Sequence, residues 1–190
     1  MNSAHRVVSS ETEELILVDT DDEETGYLEK AACHDGAGVL HRAFSLFLFN
    51  DDGELLLQQR GKSKRLWPGF WSNTCCSHPR RGESMQVATR RRLRDELNIE
   101  AQLEFVYRFS YQASFDESGS ENELCHVYLG KLKGVAKPND SEIESVRFIS
   151  ADELAAEFDA LPESFTPWFK MEWQDLLYEH SEKLASYCRS

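Results

Sequence analysis

Apolar residues recur at two periods along the chain, and the alternation between those periods predicts most of its elements. Leu15-Ile16-Leu17-Val18, followed by Asp19-Thr20-Asp21-Asp22, reads as a strand and its turn. Ala43–Asn50 and Glu54–Arg60 flank Asp51-Asp52-Gly53 and predict a β-hairpin, because Asp-Gly supplies the positive φ that a tight turn needs. The first of these strands is apolar on both faces and is therefore expected at the centre of a sheet. Ser84–Leu97 carries Leu93 and Leu97 on one face behind a capping Ser84 and predicts a helix. Strands follow at Leu103–Phe115, Glu123–Leu132 and Ser141–Ile149. Ser150-Ala151-Asp152-Glu153 is a capping-box pattern opening a short helix, and Thr166-Pro167 opens a last helix expected to reach about Lys183. Strands and helices mix without strict alternation, which favours an α+β fold with a mixed sheet over a doubly wound parallel sheet.

Length changes this picture little: 190 residues suit one domain. The polar, aperiodic residues 1–14 read as a flexible terminus, leaving a single domain over 15–190. The longest apolar run, around Ala43–Phe49, is far too short to span a bilayer, and no signal-type stretch opens the chain. The net charge of −13 repels nucleic acid and anionic lipid, so a phosphate-bearing ligand requires a local basic cluster. Five cysteines, an odd number without a secretory signal, point to a reducing cytoplasm and to thiol chemistry rather than a disulfide framework. A small-molecule partner is expected, with a monomer as the simplest assembly and a dimer as the alternative.

Chemistry concentrates in Asn73-Thr74-Cys75-Cys76-Ser77-His78-Pro79, between the aromatic run Trp67–Trp71 and the helix at Ser84. In extended backbone Cys76 and His78 share a face and Cys75 points the other way. A buried thiol beside a turn histidine would satisfy the same spacing. Glu121 and Glu123 likewise share a face at the start of a strand, as a cation-holding pair or as a solvated edge. His34, His41 and His78 could complete with them a mixed nitrogen and oxygen shell suited to Mn, Mg, Zn or Fe. Arg92 with Glu96, and Arg91 with Asp95, lie at i, i+4: either surface ion pairs or parts of a phosphate site in which Arg92 acts directly and Glu96 through a cation. Arg60-Gly61-Lys62-Ser63-Lys64-Arg65 is a candidate anion trap.

Taken together the chain resembles the type I isopentenyl diphosphate isomerase family, a branch of the Nudix fold, from about Leu28 to Trp168. The likeness is carried by Leu28-Glu29-Lys30 with His34, Leu40–Ser45, Gln59-Arg60 with Lys64, Trp67-Pro68-Gly69, Asn73–Pro79, Glu121-Asn122-Glu123 and Pro167-Trp168. The helix also resembles a worn Nudix box, read as Ser77, Glu83, Arg91, Arg92, Leu93, Asp95, Glu96, Asn98 and Ile99. Ser77 stands where that box has its first Gly, Asn98 replaces the later one and can still take positive φ, and Arg92 occupies the place of a metal-binding Glu. A cation there suits an enzyme that binds a diphosphate without cleaving it.

The resemblance implies a Nudix-like α/β/α sandwich and an isomerase interconverting isopentenyl and dimethylallyl diphosphate in isoprenoid biosynthesis. By position, Cys76 and Glu123 match the catalytic thiol and carboxyl, with Tyr111 assisting. His34, His41, His78, Glu121 and Glu123 match the ligands of one divalent metal (Mn, Mg or Zn), and Glu96 that of a second, diphosphate-bound Mg²⁺. Lys30, Arg60, Lys64 and Arg92 match phosphate contacts, and Trp168 an aromatic ring facing the alkyl part. The chemistry needs a strong acid at the terminal alkene carbon and a base for the C2 proton, and Cys76 is expected as a thiolate whose pKa nearby cations lower. Two other readings stand beside it. A Nudix-type diphosphate hydrolase would use Glu83, Arg91, Asp95 and Glu96; a zinc-stabilised module would use Cys33, Cys75, Cys76 and Cys125, although paired cysteine spacings are absent.

Overall fold

The computed structural model describes residues 7–188. In chain order the elements are β1 (Glu14–Val18), β2 (Glu24–Glu29), α1 (Lys30–Cys33), β3 (His41–Phe49), β4 (Leu55–Arg60), β5 (Trp71–Ser72), β6 (Cys75–Ser77), α2 (Met85–Leu97), β7 (Glu100–Asp116), β8 (Gly119–Lys133), β9 (Ile143–Ile149), α3 (Ala151–Ala160), α4 (Pro167–Tyr178) and α5 (Ser181–Ala185). A short 3₁₀ turn at Pro162–Ser164 leads into α4.

β3 is central, as its two apolar faces predict: every residue from Ala43 to Phe49 is buried, and the strand pairs with β1, β4, β6 and β8. Its partnership with β8 is parallel and runs from His41↔Glu123 to Phe49↔Lys131, within an otherwise antiparallel sheet. Two apolar layers result. One, built around Phe47, Phe49, Trp168, Phe169 and Trp173, lies under α3 and α4; the other, around Phe44, Leu46, Leu48 and Cys75, lies under α2. This is the α/β/α sandwich with a mixed sheet that the sequence implied.

Local signals hold well. Ser84 caps α2 through its side chain to Val87 N, Asn98 ends that helix at φ 53°, and Ser150 with Glu153 forms both arms of a capping box. Two expectations are corrected. The Asp-Gly turn forms, with Gly53 at φ 79° and Asn50 and Glu54 bonded across it, but β3 and β4 share only the Phe49↔Leu55 pair. They diverge because β4 continues against β9 while β3 is taken by β6 and β8. The last helix does not run to Lys183: it stops at Tyr178, and α5 restarts at Ser181. His180 departs to φ −128°, ψ 27° and its ring stacks on Tyr107, 4.5 Å away, so a tertiary aromatic contact interrupts the helix.

Of the segment read as a flexible terminus, residues 1–6 lie outside the described residues. Val8 is buried, and its carbonyl accepts hydrogen bonds from Arg80 and Arg92. Among the described residues no helix is long and apolar enough to cross a membrane.

Candidate active site

Sheet register brings the separated motifs together. His41 heads β3 directly opposite Glu123 of β8, and Ser45 of β3 pairs with Cys76 of β6. Strand alternation then sends Cys76 toward the layer under α4, while Cys75 turns into the layer under α2. A cavity of ≈ 470 Å³ opens over these strand ends, and His34, Cys76, His78, Tyr111, Glu121, Glu123 and Trp168 reach it, as do Lys30, Arg60, Lys64 and Arg92. His41 lies beneath the wall, fully buried.

His34, His41, His78, Glu121 and Glu123 converge until their ligand atoms all lie within 4.8 Å of one another. Their chemistry fits a divalent cation. His34 donates from Nδ1 to Lys30 O at 2.6 Å and His41 from Nδ1 to Val39 O at 2.7 Å. Each ring is thereby held in the tautomer whose Nε2 carries the lone pair. His41 Nε2 and Glu121 Oε2 are buried without a hydrogen-bond partner, although Glu121 Oε2 lies 2.8 Å from His34 Nε2 without the alignment of a hydrogen bond. Buried acceptors left without partners so close together are costly, and a shared cation would satisfy them. Glu123 is bridged on both sides, by His78 Nε2 at Oε1 (2.8 Å) and by the Tyr111 hydroxyl donating to Oε2 (2.7 Å).

Cys76 reaches the same cavity among polar partners: Asn73 Oδ1 at 2.7 Å, Trp168 Nε1 at 3.2 Å and Ser72 Oγ at 3.6 Å. The resemblance implies a thiol whose pKa nearby cations lower. Burial instead pushes it up to about 12, with the Glu172 carboxyl adding to the rise, and this outweighs the hydrogen bonds from Ser72 and Trp168 and the charge of Arg60. The thiol is therefore the resting form of the protein alone.

Basic residues line the same cavity. Lys30 Nζ is held by Ser9 Oγ at 2.9 Å and Glu11 at 3.2 Å. Arg92 is almost wholly buried; it pairs with Glu96 at 2.5 Å and Glu142 at 3.2 Å, and Lys64 also bonds Glu142. The Arg92–Glu96 pair is thus a core feature rather than a surface one. Glu96 stands off the cavity wall, bonded to Arg92 and to Cys75 Sγ. Arg91 takes Glu83, not Asp95, through two 2.8 Å bonds. Lys62 of the expected anion trap turns away to Glu144, while Arg60, Lys64 and Arg65 face the cavity.

A family model for the NUDIX domain matches residues 39–169. Isopentenyl-diphosphate Delta-isomerase 1 of Photorhabdus laumondii is 40% identical over 175 residues, covering 91% of this chain and 99% of its own. The isopentenyl-diphosphate Delta-isomerase of Serratia proteamaculans is 41% identical, covering 94% and 99%. The chain belongs to the isopentenyl-diphosphate Delta-isomerase family. Among solved structures, a Deinococcus radiodurans protein superposes with a TM-score of 0.64 at 25% identity, over 78% of this chain and 90% of that one. A MutT protein from Methanosarcina mazei, at a TM-score of 0.61 and 16% identity over 74% of this chain and 95% of its own, shares the fold. The matched stretch takes in the box-like residues through α2 together with the thiol and E-N-E segments.

Two buried carboxyls in this family member escaped sequence reasoning. Glu142 lies in the turn before β9, inside the stretch read as a strand, and Glu172 shares the apolar face of α4 with Trp168 and Leu176; the sequence reading singled out neither. Glu172 is one turn beyond Trp168 and fully buried, accepts from Cys125 Sγ at 3.4 Å and has no partner for Oε2. Burial pushes its carboxyl from 4.5 up to about 8. A raised carboxyl pKa contributes stability that is complete below about 4.5 and is lost as pH rises through about 8. Glu172→Gln, which cannot ionise, should melt close to the parent protein at pH 5 and about 5 °C or more above it at pH 9. A difference that does not change with pH would show that Glu172 is not neutral in the folded protein.

Proposed function

We propose that the chain interconverts isopentenyl diphosphate and dimethylallyl diphosphate, moving the double bond by adding a proton to one end of the allylic unit and removing one from the other. The observation that supports this reading is that Cys76, Glu123, Trp168 and the basic side chains of Lys30, Arg60, Lys64 and Arg92 all line one cavity. An alkene is a very weak base, so protonation at its terminal carbon requires an acid aimed at that carbon, and a second group must accept the C2 proton. Glu123, with Tyr111 bonded to Oε2, serves as the acid, and Cys76, once deprotonated, serves as the base. The reverse reaction exchanges their roles. Trp168 turns its indole toward the alkyl part, where its π face offsets developing positive charge by about 0.5–2 kcal/mol.

A Mn, Mg or Zn ion on His34, His41, His78, Glu121 and Glu123 would supply Lewis-acid polarisation of the Glu123 carboxyl. Glu96 stands off the cavity wall and would hold a diphosphate-bound Mg²⁺ only on release from Arg92 and Cys75. The four basic side chains bind and orient the phosphoryl oxygens. Hydrolysis is disfavoured by the same residues. Glu83 is occupied by Arg91, and Arg92 brings positive charge where a hydrolase of this fold gathers carboxylates around cations.

The test is to incubate the protein with isopentenyl diphosphate, Mg²⁺ and Mn²⁺ and follow phosphorus and carbon signals together. Dimethylallyl diphosphate should accumulate to an equilibrium mixture with the diphosphate intact. Release of phosphate without the isomer would replace this reading with hydrolysis. Within it, Arg92→Glu, which restores an acidic box residue, should raise KM by about 100-fold or more through loss of a charge-assisted contact and repulsion of the diphosphate. An unchanged KM would remove Arg92 from the phosphate set.

A further inference from the structure

Trp67 does not line the cavity, yet its backbone is held at φ 47°, a left-handed conformation that a bulky residue rarely adopts. Such a conformation persists only where the surroundings over-determine it, and it marks places where geometry is organised in advance. The surroundings here are specific. Arg60 donates from Nε to Trp67 O at 3.1 Å and to Leu66 O at 3.3 Å, and from Nη2 to Leu66 O at 2.8 Å. The turn through Trp67 is what aims two consecutive carbonyls at one guanidinium. The Arg60 backbone is clamped by the same loop, its N–H donating to Phe70 O and its carbonyl accepting from Gly69 N.

The buried Trp67 ring does a second thing. It meets Trp168 edge-on at 5.1 Å and 90° and packs on Phe115 at 5.2 Å. Arg60 in turn lies over the Trp168 ring, 5.2 Å from its centroid. One residue therefore braces both a cationic and an aromatic part of the cavity wall without lining the space itself. A neutral acceptor pair fixes the Arg60 fork without cancelling its charge, unlike the carboxylates on Lys64 and Arg92.

We propose that Trp67 is a positioning residue that pre-organises Arg60 to receive the diphosphate and holds Trp168 at its set distance from it. The inference rests on the diphosphate reading above. Removing the ring lets the loop relax toward ordinary φ, the carbonyls turn off Arg60, and the cation must be ordered anew by each ligand that binds.

A double-mutant cycle tests it, with magnesium pyrophosphate as the probe and calorimetry as the readout, each protein being checked for its melting transition. Trp67→Ala should raise the Kd about tenfold or more in the parent protein and about twofold or less on an Arg60→Ala background. Trp67→Phe, which keeps a ring against Trp168, should lie between parent and Ala, and it carries the same cycle if the Ala variant does not fold. Equal losses on both backgrounds, or no loss on either, would overturn the proposal, since a merely structural tryptophan lowers the melting point without coupling to Arg60. Failure of the parent protein to bind magnesium pyrophosphate would overturn the diphosphate reading along with it; an uncoupled Trp67 overturns only this inference.

Discussion

Cys76→Ala is expected to lower kcat by about 10³-fold or more while leaving a cooperatively folded protein. The thiol is half-buried against Asn73, Ser72 and Trp168, so its loss leaves a small gap costing about 1 kcal/mol, a fraction of the stability of a domain this size. Activity and stability should therefore separate. Cys75→Ala is the matched control: its side chain is fully buried in the other layer, 3.5 Å from Glu96, so the variant should lose stability and keep most of its turnover. If Cys75→Ala is the inactive variant and Cys76→Ala is not, the direction of the thiol pair has been read backwards.

Glu123→Gln should be as severe, about 10³-fold or more in kcat, for two reasons that metal analysis can separate. The amide cannot deliver a proton, and it is a poorer ligand than the carboxylate that stands 2.8 Å from His78 and 3.8 Å from His41. Glu121→Gln shares only the second defect. With divalent metal content and kcat measured for both, Glu121→Gln should regain part of its activity at raised metal concentration and Glu123→Gln should not. Recovery of Glu123→Gln to parental turnover under saturating metal would reduce Glu123 to a ligand and move the acid elsewhere.

What could be read from the chain alone follows from how local each signal is. Ser84, Asn98 and the Ser150–Glu153 box act on backbone within one turn, so their residue types suffice. The i, i+2 geometry of Cys76 with His78 and of Glu121 with Glu123 is equally local, which is why the direction of Cys75 was predictable. Assembly was not. The parallel register that sets His41 beside Glu123 joins residues more than eighty apart, and nothing in either segment encodes that partner. The same non-local pairing pulled β3 and β4 apart beyond their turn. His180 looks helical until Tyr107 stacks on it. Glu172 falls at i+4 from Trp168 and i−4 from Leu176, but the burial of a carboxyl depends on what packs over it, and burial likewise raises the Cys76 thiol of the protein alone.

The central claim is proton exchange across one allylic unit, and a single incubation addresses it most directly. With isopentenyl diphosphate in D₂O, the protein and its metals should place solvent deuterium in the methyl group of dimethylallyl diphosphate, and on continued incubation at C2 of the recovered substrate. Dimethylallyl diphosphate formed without deuterium from solvent, or a diphosphate cleaved with no isomer formed, would contradict it.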